Sequence, residues 1–343
     1  MRVTVFILSI VLMAILIFGC GDGNIEAPDA AGAKDAVLVV TTIFPLADIV
    51  SELGGEMVEV SYLLPPGASP HTFEPTVEQA RLVEQAGLFV YIGAGLDDWA
   101  VRLAGDPGTG PVMLNLSDEV LLLEAAGHLR LEEIDDGHHD CDHDHGHDYD
   151  DHDDCDDNCD HNGHDHDDCD HGPEDPHFWL DPITVRDIIC PAIHSELVQI
   201  APEGEAYFTE RLNQYRAELT GLHGEIEAVT GTFTSRGFIS FHSAWQYFGR
   251  RYNLQEVAVI AHFPGQEPSA GWIAELVERI REEEVGAILA EPQFPAALAE
   301  RIAEESGSRV LVIDPLGGEG VEGRESYIDL VRFNLETFRE AME

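Results

Sequence analysis

Four segments of the chain carry side chains that could bind a metal ion. Each lies just after a predicted strand or at the entry to a linking helix, and each offers one candidate ligand: His71, His177, His242 and Asp314. Imidazole and carboxylate groups suit zinc, with manganese and iron as competitors. A single histidine at a strand end is more often a structural residue, and Asp314 before Pro315 could be a turn residue. Four such groups at equivalent positions in two halves favour a metal site.

The loop that carries His71 is unusually stiff. Segment 65–75 reads PPGASPHTFEP and places three prolines before His71. Because proline fixes the backbone, little conformational freedom is lost when the imidazole binds an ion. The other three segments read DPHFWLDP (175–182), FHSAW (241–245) and IDPLG (313–317). His128, His194 and His223 lack such a setting and are predicted to be structural or surface residues, while His262 is a candidate for the rim of the site.

A tract at 135–171 contains 17 Asp, 10 His and 4 Cys among its 37 residues. One interpretation is a disordered metal-collecting loop that hands ions to the main site, since the spacing of two of its thiols suits metal binding. The other is a solvated insertion with no essential role. The candidate auxiliary ligands are His138, His139, His143, His145, His147, His152, His161, His164, His166, His171, Cys155 and Cys159.

The net charge of the chain limits the classes of molecule that it can bind. Its 343 residues carry 18 Lys+Arg against 66 Asp+Glu, a formal net charge of −48. A nucleic-acid partner is excluded because phosphate backbones attract basic surfaces, whereas cations suit this field. No cysteine pair suggests a disulfide framework, and Cys190 is predicted to be a buried small apolar residue.

The N-terminus has the features of an export signal. Residues 1–19 combine a positive start with a 16-residue apolar run, which is short for a membrane span. The run ends in a glycine before Cys20, which resembles the bacterial lipobox and predicts a lipid anchor at Cys20. An uncleaved anchor helix is the alternative. Residues 20–36 are then a flexible tether, and the body is extracytoplasmic in either case.

The body is predicted to be α/β, with two lobes that each contain a mostly parallel sheet flanked by helices. Strands alternate with helices from 37 to 134 and again from 231 to 343. Segment 172–230 contains the end of the first lobe and helical patterns at 183–200 and 203–229, the second long enough to tie the lobes together stiffly. Ligands in open α/β sheets bind at the carboxyl ends of strands, which directs the four candidate ligands to the cleft between the lobes.

The four segments, in this order, resemble motifs of the zinc/manganese-type (cluster A-I) solute-binding proteins of ABC transporters, from about residue 37 to the C-terminus. The resemblance implies two α/β lobes joined by a rigid helix, with His71, His177, His242 and Asp314 binding the ion between them. The third position is usually His in zinc-type members and Glu in manganese-type members, so His242 favours Zn²⁺. Ser243 departs from the Asp that is common after this His, and water could replace Asp314.

The implied function is an extracytoplasmic receptor that delivers Zn²⁺ to an ABC-type importer, with separate permease and ATPase subunits as partners and the receptor itself a monomer. Alternatives are a manganese- or iron-type receptor and a surface metal buffer or adhesin without a transport role. An enzyme is not expected, because the chain lacks a His-Glu-x-x-His helix, a Gly-x-Ser-x-Gly elbow and a glycine-rich phosphate loop.

Overall fold

The computed structural model describes residues 36–104, 110–124, 174–261 and 268–343. The predicted signal peptide, Cys20, His128, the tract at 135–171 and His262 lie outside these ranges. Within them, no helix has the length and apolar character needed to cross a membrane.

The first lobe contains a four-stranded parallel sheet with strand order β2-β1-β3-β4. Its elements are β1 (Val37–Thr41), α1 (Phe44–Gly54), β2 (Val58–Tyr62), α2 (Val77–Gln85), β3 (Leu88–Tyr91) and β4 (Val112–Asn115). The β-branched and aromatic residues of the two central strands suit burial on both faces of the sheet. The spacing of Thr76 and Gln79 predicts a capping box at the start of α2, and both of its hydrogen bonds are present.

A two-stranded ribbon is formed by the segments that flank residues 125–173 in the sequence. Its strands, β5 (Leu123–Glu124) and β6 (Glu174–Asp175), pair in antiparallel fashion, with Leu123 opposite Asp175. Tyr247 from the second lobe binds both strands, because its hydroxyl accepts from the Leu123 N–H and donates to the Asp175 carbonyl. The ribbon is thereby fixed to the second lobe.

The connection between the lobes is helical but not continuous. After α3 (Pro182–Thr184) comes a π-helical segment, Val185–Ile189, and then α4 (Cys190–Ile200). The sequence predicts one helix here. Pro191 has no N–H to donate to the carbonyl one turn earlier, which accounts for the wider turn before it.

The long helix α5 (Glu205–Thr230) has 26 residues and spans about 39 Å. Six apolar residues recur at helical intervals along it, which predicts a face toward the core, and all six are buried: Phe208, Leu212, Tyr215, Leu219, Leu222 and Ile226. They belong to one core cluster that includes Val39 of the first lobe and Phe338 of the second. Ion pairs extend the connection on both sides, since Arg211 of α5 binds Glu52 of the first lobe and Glu225 of α5 binds Arg332 of the second. The helix therefore packs on both lobes at once.

The second lobe repeats the parallel arrangement with strand order β10-β9-β7-β8. Its elements are β7 (Gly237–Ser240), α6 (Gln246–Tyr252), β8 (Gln255–Val259), α7 (Ala270–Glu282), β9 (Ala287–Ala290), α8 (Ala296–Ser306), β10 (Arg309–Val312) and α9 (Tyr327–Met342). Side chains of Ser269 and Ser326 cap α7 and α9. The prediction of two parallel-sheet lobes joined by a long helix is confirmed.

The apolar spacing at 96–103 predicts a helix, but this segment is mostly turn structure that ends in the 3₁₀ segment Val101–Leu103. The buried Asp97 carboxylate accepts hydrogen bonds from the hydroxyl of Thr42 and from the backbone N–H groups of Ile92 and Gly93. These bonds fix the chain in a turn at this point, so side-chain bonding to the backbone prevails over helical periodicity.

Candidate metal centre

Each of the three predicted histidine ligands is presented by a different local structure. His71 lies in the 3₁₀ turn Pro70–Thr72 that follows β2, and His177 directly precedes another 3₁₀ turn, Phe178–Leu180. His242 follows β7 by two residues. Two short turns and the end of a strand thus present the three imidazoles.

The three imidazoles converge. Nε2 of His177 is 3.4 Å from Nε2 of His71 and 3.3 Å from Nε2 of His242. One nitrogen from each ring lies within 4.8 Å of the others, and this is the metal-ligand group found among the described residues. Zinc–nitrogen bonds of about 2.0–2.1 Å in tetrahedral geometry separate two nitrogens by about 3.3–3.4 Å. The two separations from His177 Nε2 thus match those of zinc ligands, and the nitrogens of His71 and His242 lie within 4.8 Å of each other.

Two buried carboxylates orient two of the rings. Asp175 Oδ1 is 2.8 Å from His177 Nδ1, and Glu291 Oε1 is 2.7 Å from His242 Nδ1. When the carboxylate is ionised it only accepts hydrogen bonds, so Nδ1 of each ring is the donor, and a neutral ring then keeps its lone pair on Nε2. His177 and His242 are buried, with 4% and 5% of their surface exposed, and His71 is partly buried.

The environment separates the pKa values of the three imidazoles. Burial, and then the neighbouring imidazoles, lower the pKa of His71 to about 2, and burial lowers the pKa of His177 well below its ordinary value. Burial also lowers the pKa of His242, but the charge of Glu291 and its hydrogen bond outweigh this and raise the pKa above the ordinary value. Burial also raises the pKa of Asp175 to about 7. Near neutral pH, His71 and His177 are therefore ready to bind a cation.

Asp314, the fourth predicted ligand, lies beside this group but is engaged elsewhere. Its Oδ2 accepts a hydrogen bond from Arg324 Nη1 at 2.9 Å, and its Oδ1 accepts from Gln293 Nε2 at 3.1 Å. The backbone N–H of Leu316 also donates to Oδ1. The structure brings three of the four predicted ligands together, and ligation by Asp314 stays a prediction.

A small cavity surrounds the imidazoles. Its lining comes from both lobes and consists of Ser69, Pro70, His71, His177, Trp179, His242, Glu291, Gln293, Phe294, Pro315 and Leu316. Trp179 fixes one wall, because its indole N–H donates to the Pro315 carbonyl and its own carbonyl accepts from the Tyr327 hydroxyl. Within the described part of the chain, Glu291 Oε2 and Gln293 Oε1 are buried without a hydrogen-bond partner. Two of the residues that line the cavity thus each carry a buried oxygen without a hydrogen-bond partner.

Three residues at the site were not singled out from the sequence: Asp175, Glu291 and Arg324. Asp175 precedes His177 by two residues and begins the DPHFWLDP motif. Glu291 directly follows β9, much as Asp314 comes just after β10. Arg324 gives no local signal. Ser243 stands where an Asp is common after this histidine, and it does not orient the ring. The Ser243 hydroxyl donates to Glu256, and Glu291 orients His242 instead.

Two other histidines have the settings predicted for structural or surface residues. His194 is bonded to Thr209 on the exposed side of the linking helices, and His223 is bonded to Tyr252 beside Glu227. Neither belongs to the convergent group.

The fold and site define a two-lobe protein with an imidazole centre between its lobes. Residues 39–341 match the family model described as "ZnuA: Zinc-uptake complex component A periplasmic". Because this match covers most of the chain, the protein belongs to that family, as its motifs predicted.

The chain is similar to several named proteins of this kind. It is 26% identical over 332 residues to the high-affinity zinc uptake system protein ZnuA of Bacillus subtilis, covering 96% of this chain and 94% of that protein. It is 25% identical over 344 residues to the manganese-binding lipoprotein MntA of Halalkalibacterium halodurans, with 98% of each covered. The longer streptococcal zinc-binding relatives are matched over 56% of their length.

A solved structure agrees with the fold. A crystal structure of a zinc-bound deletion mutant of ZnuA superposes with a TM-score of 0.70 and is 25% identical, covering 90% of this chain and 99% of that one.

Proposed function

We propose that this protein is an extracytoplasmic receptor that captures Zn²⁺ between its lobes and delivers it to an ABC-type importer. One observation carries the proposal: three imidazoles from distant parts of the chain converge, with one nitrogen of each within 4.8 Å of the others and with His177 Nε2 at zinc-ligand spacing from both partners. The proposed ligands are His71, His177 and His242, with Asp314 or a water as the fourth. Membership of a family of zinc-uptake components supports this role.

Binding rather than catalysis is the proposed activity. A component of an uptake complex has to hold its ion reversibly, and the B. subtilis relative is named as such a component. The two orienting carboxylates, Asp175 and Glu291, raise the basicity of the rings they contact and fix their direction. These are properties of a binding site, and the ion is cargo that leaves unchanged.

Zinc is favoured over manganese by the ligand set. Imidazole nitrogen suits zinc, whereas manganese takes mainly oxygen ligands, and the convergent group contains three nitrogens. The manganese-binding name of the H. halodurans relative keeps manganese as the alternative. A comparison of Zn²⁺ and Mn²⁺ affinities for the purified protein would decide between them.

The location and partners follow from the same role. We propose that Cys20 is lipidated and tethers the receptor to the membrane, which the lipoprotein names of relatives support. Permease and ATPase subunits are the proposed partners, and their genes beside this one would distinguish a transport receptor from a metal buffer or adhesin. A zinc-limited growth defect on deletion of the gene, rescued by excess zinc, would test transport directly.

The proposal is tested most directly by zinc titration of the soluble body with and without residues 135–171. We expect one tightly bound zinc in both proteins, because the convergent imidazoles lie outside the tract. Additional, weaker zinc ions are expected only with the tract, through its ten histidines and four cysteines. Loss of the tight zinc on deletion of the tract would mean that the cleft is not the principal site.

A further inference from the structure

The carboxylate of Asp314 is occupied on both oxygens by three donors. Arg324 Nη1 binds Oδ2 at 2.9 Å, while Gln293 Nε2 and the Leu316 N–H bind Oδ1 at 3.1 and 3.0 Å. Asp314 is 3% exposed, so water offers little competition for these bonds. A buried carboxylate that makes a charge-assisted bond is strongly held in place.

The backbone of Asp314 is fixed as well. Asn334 of α9 binds it twice, since the Asn334 side chain accepts from the Asp314 N–H and donates to the Asp314 carbonyl. The carboxylate could therefore approach an ion only by rotation of its side chain. That rotation breaks the bond to Arg324.

Arg324 is itself held ready for this bond. Its guanidinium lies 4.5 Å from the ring centroid of Phe333, and its side chain is 18% exposed. The backbone of the loop closes around it through the Gly318 N–H to the Arg324 carbonyl. Gly317 has a φ of +62°, and a Cβ there would lie 2.7 Å from the Arg324 carbonyl, so the tight loop requires glycine at 317.

Gln293 connects this ion pair to the imidazoles. Its Nε2 donates to Asp314, which fixes the direction of the amide because a carboxylate accepts and does not donate. Its Oε1 is buried, has no hydrogen-bond partner among the described residues, and belongs to a side chain that lines the cavity. A neutral oxygen without a hydrogen-bond partner thus belongs to a side chain that lines the cavity of the imidazoles.

We propose that Arg324 is a metal-selectivity residue. By holding Asp314, it withholds the negative oxygen from the ion and leaves the fourth coordination position to a neutral oxygen, from Gln293 or from water. Three nitrogens and one neutral oxygen suit zinc, and a carboxylate ligand would favour manganese. The inference rests on the proposed function and names Arg324 as the residue that sets the preference of the site for zinc over manganese.

The test compares dissociation constants for Zn²⁺ and Mn²⁺ in the purified protein and in R324Q, R324K and R324Q/D314N. In R324Q the freed carboxylate should bind the ion, so the preference for Zn²⁺ over Mn²⁺ should fall about tenfold or more. R324K keeps the charge and should retain most of the preference. The double variant should restore it, because an amide at position 314 adds no charged ligand. R324A replaces R324Q if thermal denaturation shows that R324Q does not fold.

The visible spectrum of bound Co²⁺ gives a second readout. Wild-type protein should show the intense bands of four-coordinate cobalt, and the bands of R324Q should shift because a carboxylate oxygen replaces the neutral oxygen in the fourth position. D314N separates the two candidates for the fourth position: zinc affinity stays within about threefold of wild type where a neutral oxygen fills it, and falls about 100-fold where Asp314 is a ligand.

Three results would overturn the inference: an unchanged preference in both R324Q and R324A, a manganese gain that persists in R324Q/D314N, or a loss of zinc affinity of about 100-fold in D314N. The second result would show that removal of a positive charge, and not ligation, is responsible. A wild-type protein that binds no tight zinc would instead refute the proposed function itself.

Discussion

Asp175 Oδ1 accepts two hydrogen bonds from the same residue, one from the backbone N–H of His177 at 2.9 Å and one from its Nδ1 at 2.8 Å. Backbone and ring are thereby locked together, so the direction of Nε2 is set before an ion arrives. The carbonyl of Asp175 is bound by Tyr247 of the second lobe, which fixes the whole unit across the cleft. A preformed site of this kind loses little conformational entropy when it binds.

Removal of any one imidazole should abolish tight zinc binding. For His71→Ala, His177→Ala or His242→Ala we expect a loss greater than the roughly 10- to 100-fold typical of an orienting partner, because one of three nitrogen ligands is gone. Competition with a chelator of known affinity measures it. His194→Ala is the matched control, since His194 is only partly buried, is bonded to Thr209 and does not belong to the convergent group. Equal losses in the control would show that different histidines bind the ion.

The two orienting carboxylates should matter less than the ligands but measurably. Asp175→Ala and Glu291→Gln should each weaken zinc binding by about 10- to 100-fold, because their rings lose a fixed direction and part of their basicity. The same chelator competition applies. Glu225→Gln, which removes an exposed carboxylate paired with Arg332, should change the affinity little. If all three variants behave alike, net charge and not ring orientation sets the affinity.

Zinc binding should weaken with falling pH from a point above the ordinary imidazole value of 6.5. A protonated His242 cannot bind zinc, and its raised pKa means that protons compete at higher pH than they do for a free imidazole. His71 and His177 have lowered pKa values, so protons do not compete with zinc for these two rings in this pH range. The affinity should fall about tenfold per pH unit below the His242 pKa.

Isothermal titration at several pH values measures this dependence. Glu291→Gln removes the main cause of the raised pKa, so its decline should begin at lower pH than in wild type. A decline at the same pH in both proteins would contradict the role given to Glu291.

Asp48 should make the fold more stable in acid. It accepts a hydrogen bond from the Tyr327 N–H, and burial raises its pKa from 3.8 to about 6. The folded state therefore favours the neutral acid, and this stabilisation is complete below pH 3.8 and is lost as pH rises through 6. Asp48→Asn keeps an acceptor and removes the charge, so it should raise the free energy of unfolding at pH 8 by at most about 3 kcal/mol.

Thermal denaturation at pH 4 and pH 8 tests this prediction. The stabilising effect of Asp48→Asn should be present at pH 8 and small at pH 4. A variant that is equally stable or less stable than wild type at pH 8 would show that ionised Asp48 is not strained in the native protein.

Metal binding should change the lobes little. α5 is one unbroken helix whose buried face belongs to a core shared with both lobes. Bending it would separate packed side chains, so we expect changes confined to loops such as the one that carries Arg324. Crystal structures with and without zinc would show this, and a large hinge rotation would refute it.

Much of the site was predictable because parallel strands align their carboxyl ends. His71 and His242 follow strands of different sheets, and their sequence positions alone indicated a shared cleft. The pairing of His242 with Glu291 required the strand register. Ser240 of β7 lies opposite Leu289 of β9 in a parallel pair, which brings the residues two positions further, His242 and Glu291, side by side.

Other features depend on tertiary contacts that leave no periodic signal. The bond between Arg324 and Asp314 joins a loop to a strand end, and nothing in the spacing of charged residues indicates it. The turn at Asp97 likewise depends on Thr42, 55 residues away. Helical spacing at 96–103 predicts a helix because apolar periodicity cannot register a buried carboxylate that bonds backbone N–H groups.

The ribbon of Leu123–Glu124 and Glu174–Asp175 is a suitable place to insert a foreign domain into the chain. Its ends are neighbours, so whatever is inserted between them starts and finishes at one place on the surface of the fold. The entropy of closing such an insert grows slowly, by about 0.6 kcal/mol for each doubling of its length. A fluorescent reporter domain could therefore replace residues 125–173, next to the carboxylate that orients His177, and turn the protein into a zinc sensor.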